Sequence, residues 1–144
     1  MIFVLGIDPG KTTGLALLSI NDKKATIVEA LESKDISFIE NNWLLQKADH
    51  IVCEDFKIRP GMARAGNFDY DPMQTPQIIG SIQTLTKLLG KSVVLQQPAI
   101  KPMGYGYAHM KYVSGKKGLH IFDAAAHAMY FAVKHKLCLP SQLH

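Results

Sequence analysis

The stretch Phe3-Val-Leu-Gly-Ile-Asp-Pro-Gly-Lys-Thr-Thr-Gly14 decides how this chain is read, because it sets one carboxylate, Asp8, at the end of an apolar run. Phe3 to Ile7 has the make-up of a strand buried on both faces, and Pro9-Gly10 is a turn signal that stops it. A carboxylate in that place must be hydrogen-bonded, paired with a cation or bound to a metal, since an isolated buried charge is too costly. Gly10-Lys11-Thr12 imitates the end of a phosphate-binding P-loop, but the leading glycine would have to stand at residue 5, which is Leu5. A P-loop also opens a helix, whereas Leu15 to Ile20 meets Asn21-Asp22 too soon for one. Strand, turn, strand is the better reading, with a hairpin closing near Asn21-Asp22.

Outward from this hairpin, Lys24 to Leu31 is a third strand, interrupted by charge as an edge strand is. Ser33 to Ala48 changes to a helical period, with Ile36, Ile39, Trp43 and Leu44 on one face and Trp43 expected in the core. His50 to Phe56 returns to a buried strand with Glu54 and Asp55 near its end, and the helical crossover before it predicts parallel pairing with the core strand. Its acidic end also resembles the acidic strand of an ATPase, which keeps nucleotide hydrolysis as a minor alternative. Lys57 to Thr75 is a long connection carrying Arg59, Arg64, Phe68 and Tyr70, and connections of that length are usually functional or disordered.

Thr75 as N-cap, Pro76 at the first position and Gly90 at the stop mark a helix. Ile78, Ile82, Leu85 and Leu89 form its apolar face, broadened by Ile79 and Leu88. Gly80 and Thr84 leave another side small enough for a second helix to approach. Ser92 to Gln97 is the last strand. Pro98 to Gly118 is read as another long loop, holding Lys101, Lys111, Lys116 and Lys117 with Tyr105, Tyr107 and Tyr112. Interleaved lysines and tyrosines suit phosphate contact and base stacking, and they suit equally a solvated loop whose tyrosines pack on the domain. A final helix spans about His120 to Lys136.

Composition bounds the answer. A chain of 144 residues with 47% apolar and 19% charged content fits one soluble domain over residues 1–144, large enough to bury a core without staples. The N-terminal apolar run lacks a basic leader, and no stretch reaches membrane-spanning length, so a cytoplasmic protein with no membrane partner is expected. Cys53 and Cys138 are expected to be buried free thiols. A net charge of +4 points weakly to a polyanionic partner.

The residues able to carry chemistry are Asp8 at one strand end, Glu54 at another, and Asp123 with His120 at a helix start. His120, Asp123 and His127 share one helical face by their spacing. Hard divalent cations need oxygen ligands, and paired metals held by shared carboxylates can activate water for phosphodiester hydrolysis. Each acid has a bland reading as well: Asp123 compensates a helix dipole, and His127 reads as a hydrogen-bonded surface or half-buried histidine.

Together, Gly6-Ile7-Asp8-Pro9-Gly10 with Thr13-Gly14, then Val52-Cys53-Glu54 with Phe56, then His120-Ile-Phe-Asp123-Ala124 resembles the RuvC-type Holliday junction resolvases of the ribonuclease H-like superfamily. The short length, Ile79-Gly80-Ser81-Ile82 and Asp123-Ala-Ala-Ala-His127-Ala look more like its small phage-borne branch, which would place the protein in a host cytoplasm. The resemblance implies an α/β ribonuclease H-like fold with a mixed five-stranded sheet flanked by helices. It implies that Asp8, Glu54, His120 and Asp123 bind two Mg2+ or Mn2+ ions. The imidazole of His120 suits Mn2+ better than Mg2+, which leaves His120 either a ligand or a group acting at the leaving oxygen.

The same resemblance implies basic catalytic groups at Lys101 and at Lys116 or Lys117, and DNA contacts from Arg59, Arg64, Phe68, Tyr70 and Lys111. It implies a homodimer acting on four-way or branched DNA, with the Pro76 to Leu89 helix as the interface. Two other functions fit the same motifs: a ribonuclease H-like nuclease acting on structured RNA, and a catalytically inactive module that binds branched DNA. An actin-like ATPase fits least, for want of a second lobe.

Overall fold

The computed structural model describes residues 1–34, 43–56, 74–112 and 119–144. Five strands form one mixed sheet: β1 (Ile2–Asp8), β2 (Thr12–Asn21), β3 (Lys24–Lys34), β4 (His50–Glu54) and β5 (Val93–Gln96). Their order is β3-β2-β1-β4-β5, so the strand of the opening motif is central. The first three pair antiparallel through tight connections. β4 and β5 join in parallel beyond β1, as a crossover demands. Asp22 and Lys23 both have positive φ, 49° and 66°, as a two-residue turn between twisted strands requires. The edge strand β3 carries a register shift opposite Leu17 and Leu18, where Val28 is left unpaired.

The helices are α1 (Trp43–Lys47), α2 (Gln74–Leu88), α3 (Lys101–Tyr107) and α4 (His120–Lys134), with a 3-10 turn at Pro98–Ile100 leading into α3. Alternation along the strands sorts the core into two layers. Leu5, Ile7, Leu15, Leu17, Ile51 and Cys53 face Leu44 and Leu45 of α1 and Ile78, Ile79 and Ile82 of α2. On the other face Val4, Leu18, Ile20 and Val52 meet Ala128, Met129 and Phe131 of α4.

Several expectations need correction. Trp43 is 44% exposed rather than core. It is the first residue of a five-residue helix whose inward positions belong to Leu44 and Leu45. Leu88 is 78% exposed, because at about 100° per residue it points well away from the face on which Thr75, Ile78, Ile79, Ile82 and Thr86 are buried. α2 opens two residues earlier than expected, at Gln74 rather than Pro76, and Gly90 closes it with φ 71°. Most of Pro98 to Gly118 that is described is not a loop: Lys101 to Tyr107 is helical, its two glycines notwithstanding. Residues 35–42, with Ile36 and Ile39, lie outside the described residues. Cys53 and Cys138 are free and buried, as expected, and no helix among the described residues is long and apolar enough to cross a membrane.

Candidate functional site

The sheet puts the first two acids side by side. The parallel pairing of β1 with β4 ends at Ile7 and Cys53, so Asp8 and Glu54 follow as neighbours at adjoining strand ends. Ile7 and Cys53 point into the α1 and α2 layer. One residue on, Asp8 and Glu54 therefore point to the opposite face, where α4 lies. Gly6 lets that helix come close: a Cβ there would stand 1.9 Å from the Ala124 carbonyl oxygen. Gly14 does the same on β2, where a Cβ would lie 2.2 Å from the His120 carbonyl oxygen. The first turn of α4 is thus pressed onto the acidic strand ends, bringing His120 and Asp123 with it.

Each carboxylate has its own brace. His120 Nδ1 is 3.0 Å from Asp8 Oδ2. His127 Nε2 is 2.8 Å from Glu54 Oε2. Tyr105 donates its hydroxyl to Asp123 Oδ1 at 2.6 Å. The Lys101 ammonium joins two of the acids, 3.2 Å from Glu54 Oε2 and 3.5 Å from Asp123 Oδ2.

The electrostatics follow from this crowding. Burial raises the carboxyl of Asp8 above its ordinary range, the His120 hydrogen bond offsets only part of that, and the charges of Glu54 and Asp123 add to it. The bond to Asp8 in turn holds His120 above its usual value, so the pair keeps its protons to higher pH than either group alone. Burial also pushes Glu54 upward, but His127 and Lys101 outweigh it and leave this carboxyl below the usual range. Lys101 is held above its usual value: burial opposes the charge, and Glu54, Asp123 and Asp8 together prevail. Burial and the Asp123 bond push the Tyr105 phenol upward, so it stays a donor.

The donor set fits a hard divalent cation in kind, since it consists chiefly of carboxylate oxygens, and a cation already stands between two of them in the form of Lys101. Among the described residues, no three His, Cys, Asp or Glu side chains close on one point as they stand. Asp8, Glu54, His120, Asp123 and Lys101 thus lie at one end of the sheet in two joined groups, His120 with Asp8 and Lys101 with Glu54 and Asp123. Lys111 is exposed two residues beyond His109, with no described contact to the cluster. Lys116, Lys117, Arg59, Arg64, Phe68 and Tyr70 lie outside the described residues.

Two residues carry more than the sequence suggested. Tyr105 is 2% exposed and braces an acid, where a loop tyrosine available for base stacking was one of two expectations. His127 is fully buried rather than at the surface, between Glu54 and Gln96. The available signal was its neighbours: a lone polar side chain in a run of buried alanines must find a partner inside. Asp55, which the sequence leaves without a diagnostic role, accepts from the Phe56 amide at 2.8 Å and the Gln97 side chain at 3.2 Å.

No protein-family model matches the chain, and no curated protein does. Solved structures do match. Thermus thermophilus RuvC superposes with a TM-score of 0.65 at 16% identity, covering 96% of this chain and 99% of that one. The same enzyme in complex with a Holliday junction substrate gives 0.66 at 15% identity, over 95% and 96%. The fowlpox virus resolvase bound to substrate Holliday junction DNA gives 0.61 at 10% identity, over 93% and 99%. The strand order, the mixed pairing and the coverage together give this chain the ribonuclease H-like fold of the RuvC and poxvirus Holliday junction resolvases.

Proposed function

We propose that this protein is a divalent-metal-dependent endonuclease that resolves four-way and other branched DNA by paired nicks, leaving 5′-phosphate and 3′-hydroxyl ends. The observation that carries the reading is the gathering of Asp8, Glu54, Asp123 and His120 from two strand ends and one helix turn, with Lys101 between two of the acids. Carboxylates crowded this closely repel one another, and Asp8 in particular is disfavoured as an anion. Such an arrangement suits binding of positive charge.

Asp8, Glu54, Asp123 and His120 would hold the metal, two Mg2+ or Mn2+ ions in the reading favoured here. Bound there, divalent cations supply an activated water and stabilise the leaving oxygen. The remaining roles belong to the chain. Lys101 keeps a positive charge beside the acids, where it neutralises charge developing on the phosphate. Tyr105 holds Asp123 in place and His120 holds Asp8. Lys116 or Lys117 adds a further cation, and Arg59, Arg64, Phe68, Tyr70 and Lys111 contact the junction. A homodimer supplies two such sites.

Incubation of the purified protein with a labelled synthetic four-way junction and Mg2+ or Mn2+ tests this. Symmetric nicks that disappear in Asp8→Asn and Glu54→Gln are expected. A junction left intact by the wild type with either metal, or structured RNA cut in preference to it, overturns the reading.

A further inference from the structure

The proposed chemistry gives no part to His127, a buried polar side chain that touches one of the acids. His127 lies on α4 among Ala124, Ala125, Ala126 and Ala128, and like them it is sealed from solvent. Its Nε2 faces Glu54 Oε2 at 2.8 Å, and its Nδ1 faces Gln96 Nε2 at 3.2 Å. Gln96 decides which ring nitrogen carries the proton. The Gln96 amide atom that sits 3.0 Å from the His127 carbonyl oxygen must be the nitrogen, because two oxygens cannot hydrogen-bond to each other. The second hydrogen of that NH2 group points to Nδ1. Nδ1 must then accept, the ring proton sits on Nε2, and Nε2–H donates to Glu54.

We infer that His127, fixed by Gln96 as the Nε2–H tautomer, is the positioning residue for Glu54. The imidazole claims one lone pair of Oε2 and sets the plane of the carboxylate. Oε1 is left with a single described contact, Lys101 at 3.5 Å, and is the oxygen presented to the site. Gln96 is paired with Glu54 in the β4–β5 ladder and lies on the same face of the sheet. Edge strand β5 thereby reaches the site through a side chain that touches no acid itself. The brace also explains why a polar ring is buried on a helix whose other buried residues are apolar. It rests on the reading of Glu54 as a metal-binding acid.

The test reads the ring and the metal separately. In 15N spectra of the metal-free protein, the His127 ring, assigned by its absence in His127→Leu, should show a protonated Nε2 and an unprotonated Nδ1. Gln96→Leu, which removes the donor to Nδ1, should turn this into a mixture of tautomers. Mn2+ binding, followed by electron paramagnetic resonance without DNA, should weaken about 10- to 100-fold in His127→Leu, the range seen when a hydrogen-bonding partner of a metal ligand is lost. Gln96→Leu should weaken it less. His127→Gln, whose amide can still donate to Glu54, should recover part of the loss, which a merely space-filling histidine would not predict. A proton on Nδ1 in the wild type, or wild-type Mn2+ affinity in both His127→Leu and Gln96→Leu, overturns the inference. Wild-type protein that binds Mn2+ yet cuts no branched DNA overturns the nuclease reading alone, and wild-type protein that binds no Mn2+ overturns both.

Discussion

Asp8 shows most directly what a binding site demands of stability. Its carboxyl is 7% exposed at residue level and surrounded by like charge, and its raised folded-state pKa means that the fold disfavours its anion. The sign follows: the penalty is full above the folded-state pKa, shrinks as pH falls through it, and is gone below the unfolded value. Asp8→Asn keeps the shape and a hydrogen-bonding group for His120 while removing the charge. In metal-free buffer at neutral pH the variant should melt a few degrees higher than wild type, at roughly 3 °C per kcal/mol for a chain of this size. That gain should vanish by pH 3.5 or so, about the ordinary aspartate pKa. A variant that melts lower at neutral pH would mean that the His120 pair outweighs burial. Tyr105→Phe works in the opposite direction. It deletes the hydroxyl whose hydrogen bond Asp123 accepts at 2.6 Å, and because Asp123 is partly open to water the loss should be about 1.5 kcal/mol, the low end for bonds to charged groups. Thermal melts check that figure. The nicking rate should fall roughly tenfold, as losing an orienting partner of a metal-binding acid does.

At the scale of elements, the site exists because α4 lies closer to its neighbours than any side chain on them would permit. Gly6, Gly14 and Gly104 each face the backbone of α4, and a Cβ on any of them would come within 2.3 Å of a carbonyl oxygen. Gly6→Ala is therefore expected to push the first turn of α4 off β1 and to cost about 3 kcal/mol, the upper end for overpacking. A fall in melting temperature of roughly 10 °C would register it. Activity should fall further than stability explains, since Asp123 travels with the turn. The same packing explains what the sequence disclosed. β1, β4 and the hairpin turn were legible because buried strands are apolar runs and turns have their own residues, and Asp8 and Glu54 stood out as acids ending such runs. Helix α3 was not legible. Lys101 to Tyr107 contains a proline and two glycines and has no apolar period, so it forms through contact: Gly104 against Ala126, and Tyr105 buried with its hydroxyl on Asp123. His127 was visible on the right helical face, but its partner Gln96 lies 31 residues away on another strand, a pairing that helical spacing along α4 does not reveal.

For the molecule as a whole, the decisive fact is that the described residues of one chain hold one cluster of acids around a lysine. Asp8, Glu54, Lys101 and Asp123 come from four separate elements, yet they gather at adjoining strand ends and the helix turn packed on them, and in the proposed reaction one such site would break one strand at a time. Paired nicks across a junction therefore need two copies, and a two-fold arrangement would present two equal sites to two equal strands. Among the described residues α2 leaves space for such contact, since a Cβ at Gly80 would meet none of them within 4 Å and Leu88 is largely exposed. A supercoiled plasmid that extrudes a cruciform distinguishes the possibilities. Two nicks within one encounter give linear product, whereas a single nick relaxes the plasmid, absorbs the cruciform and leaves an open circle. Wild-type protein should give mainly linear DNA. Premixing it with an excess of Asp8→Asn, which keeps the surface but not the charge at the site, should convert most product to open circle as mixed dimers form. A linear fraction unaffected by the inactive copy would mean that each chain cuts independently. The dimer proposed here would then have no part in pairing the nicks, even if the chemistry at Asp8 and Glu54 is correct.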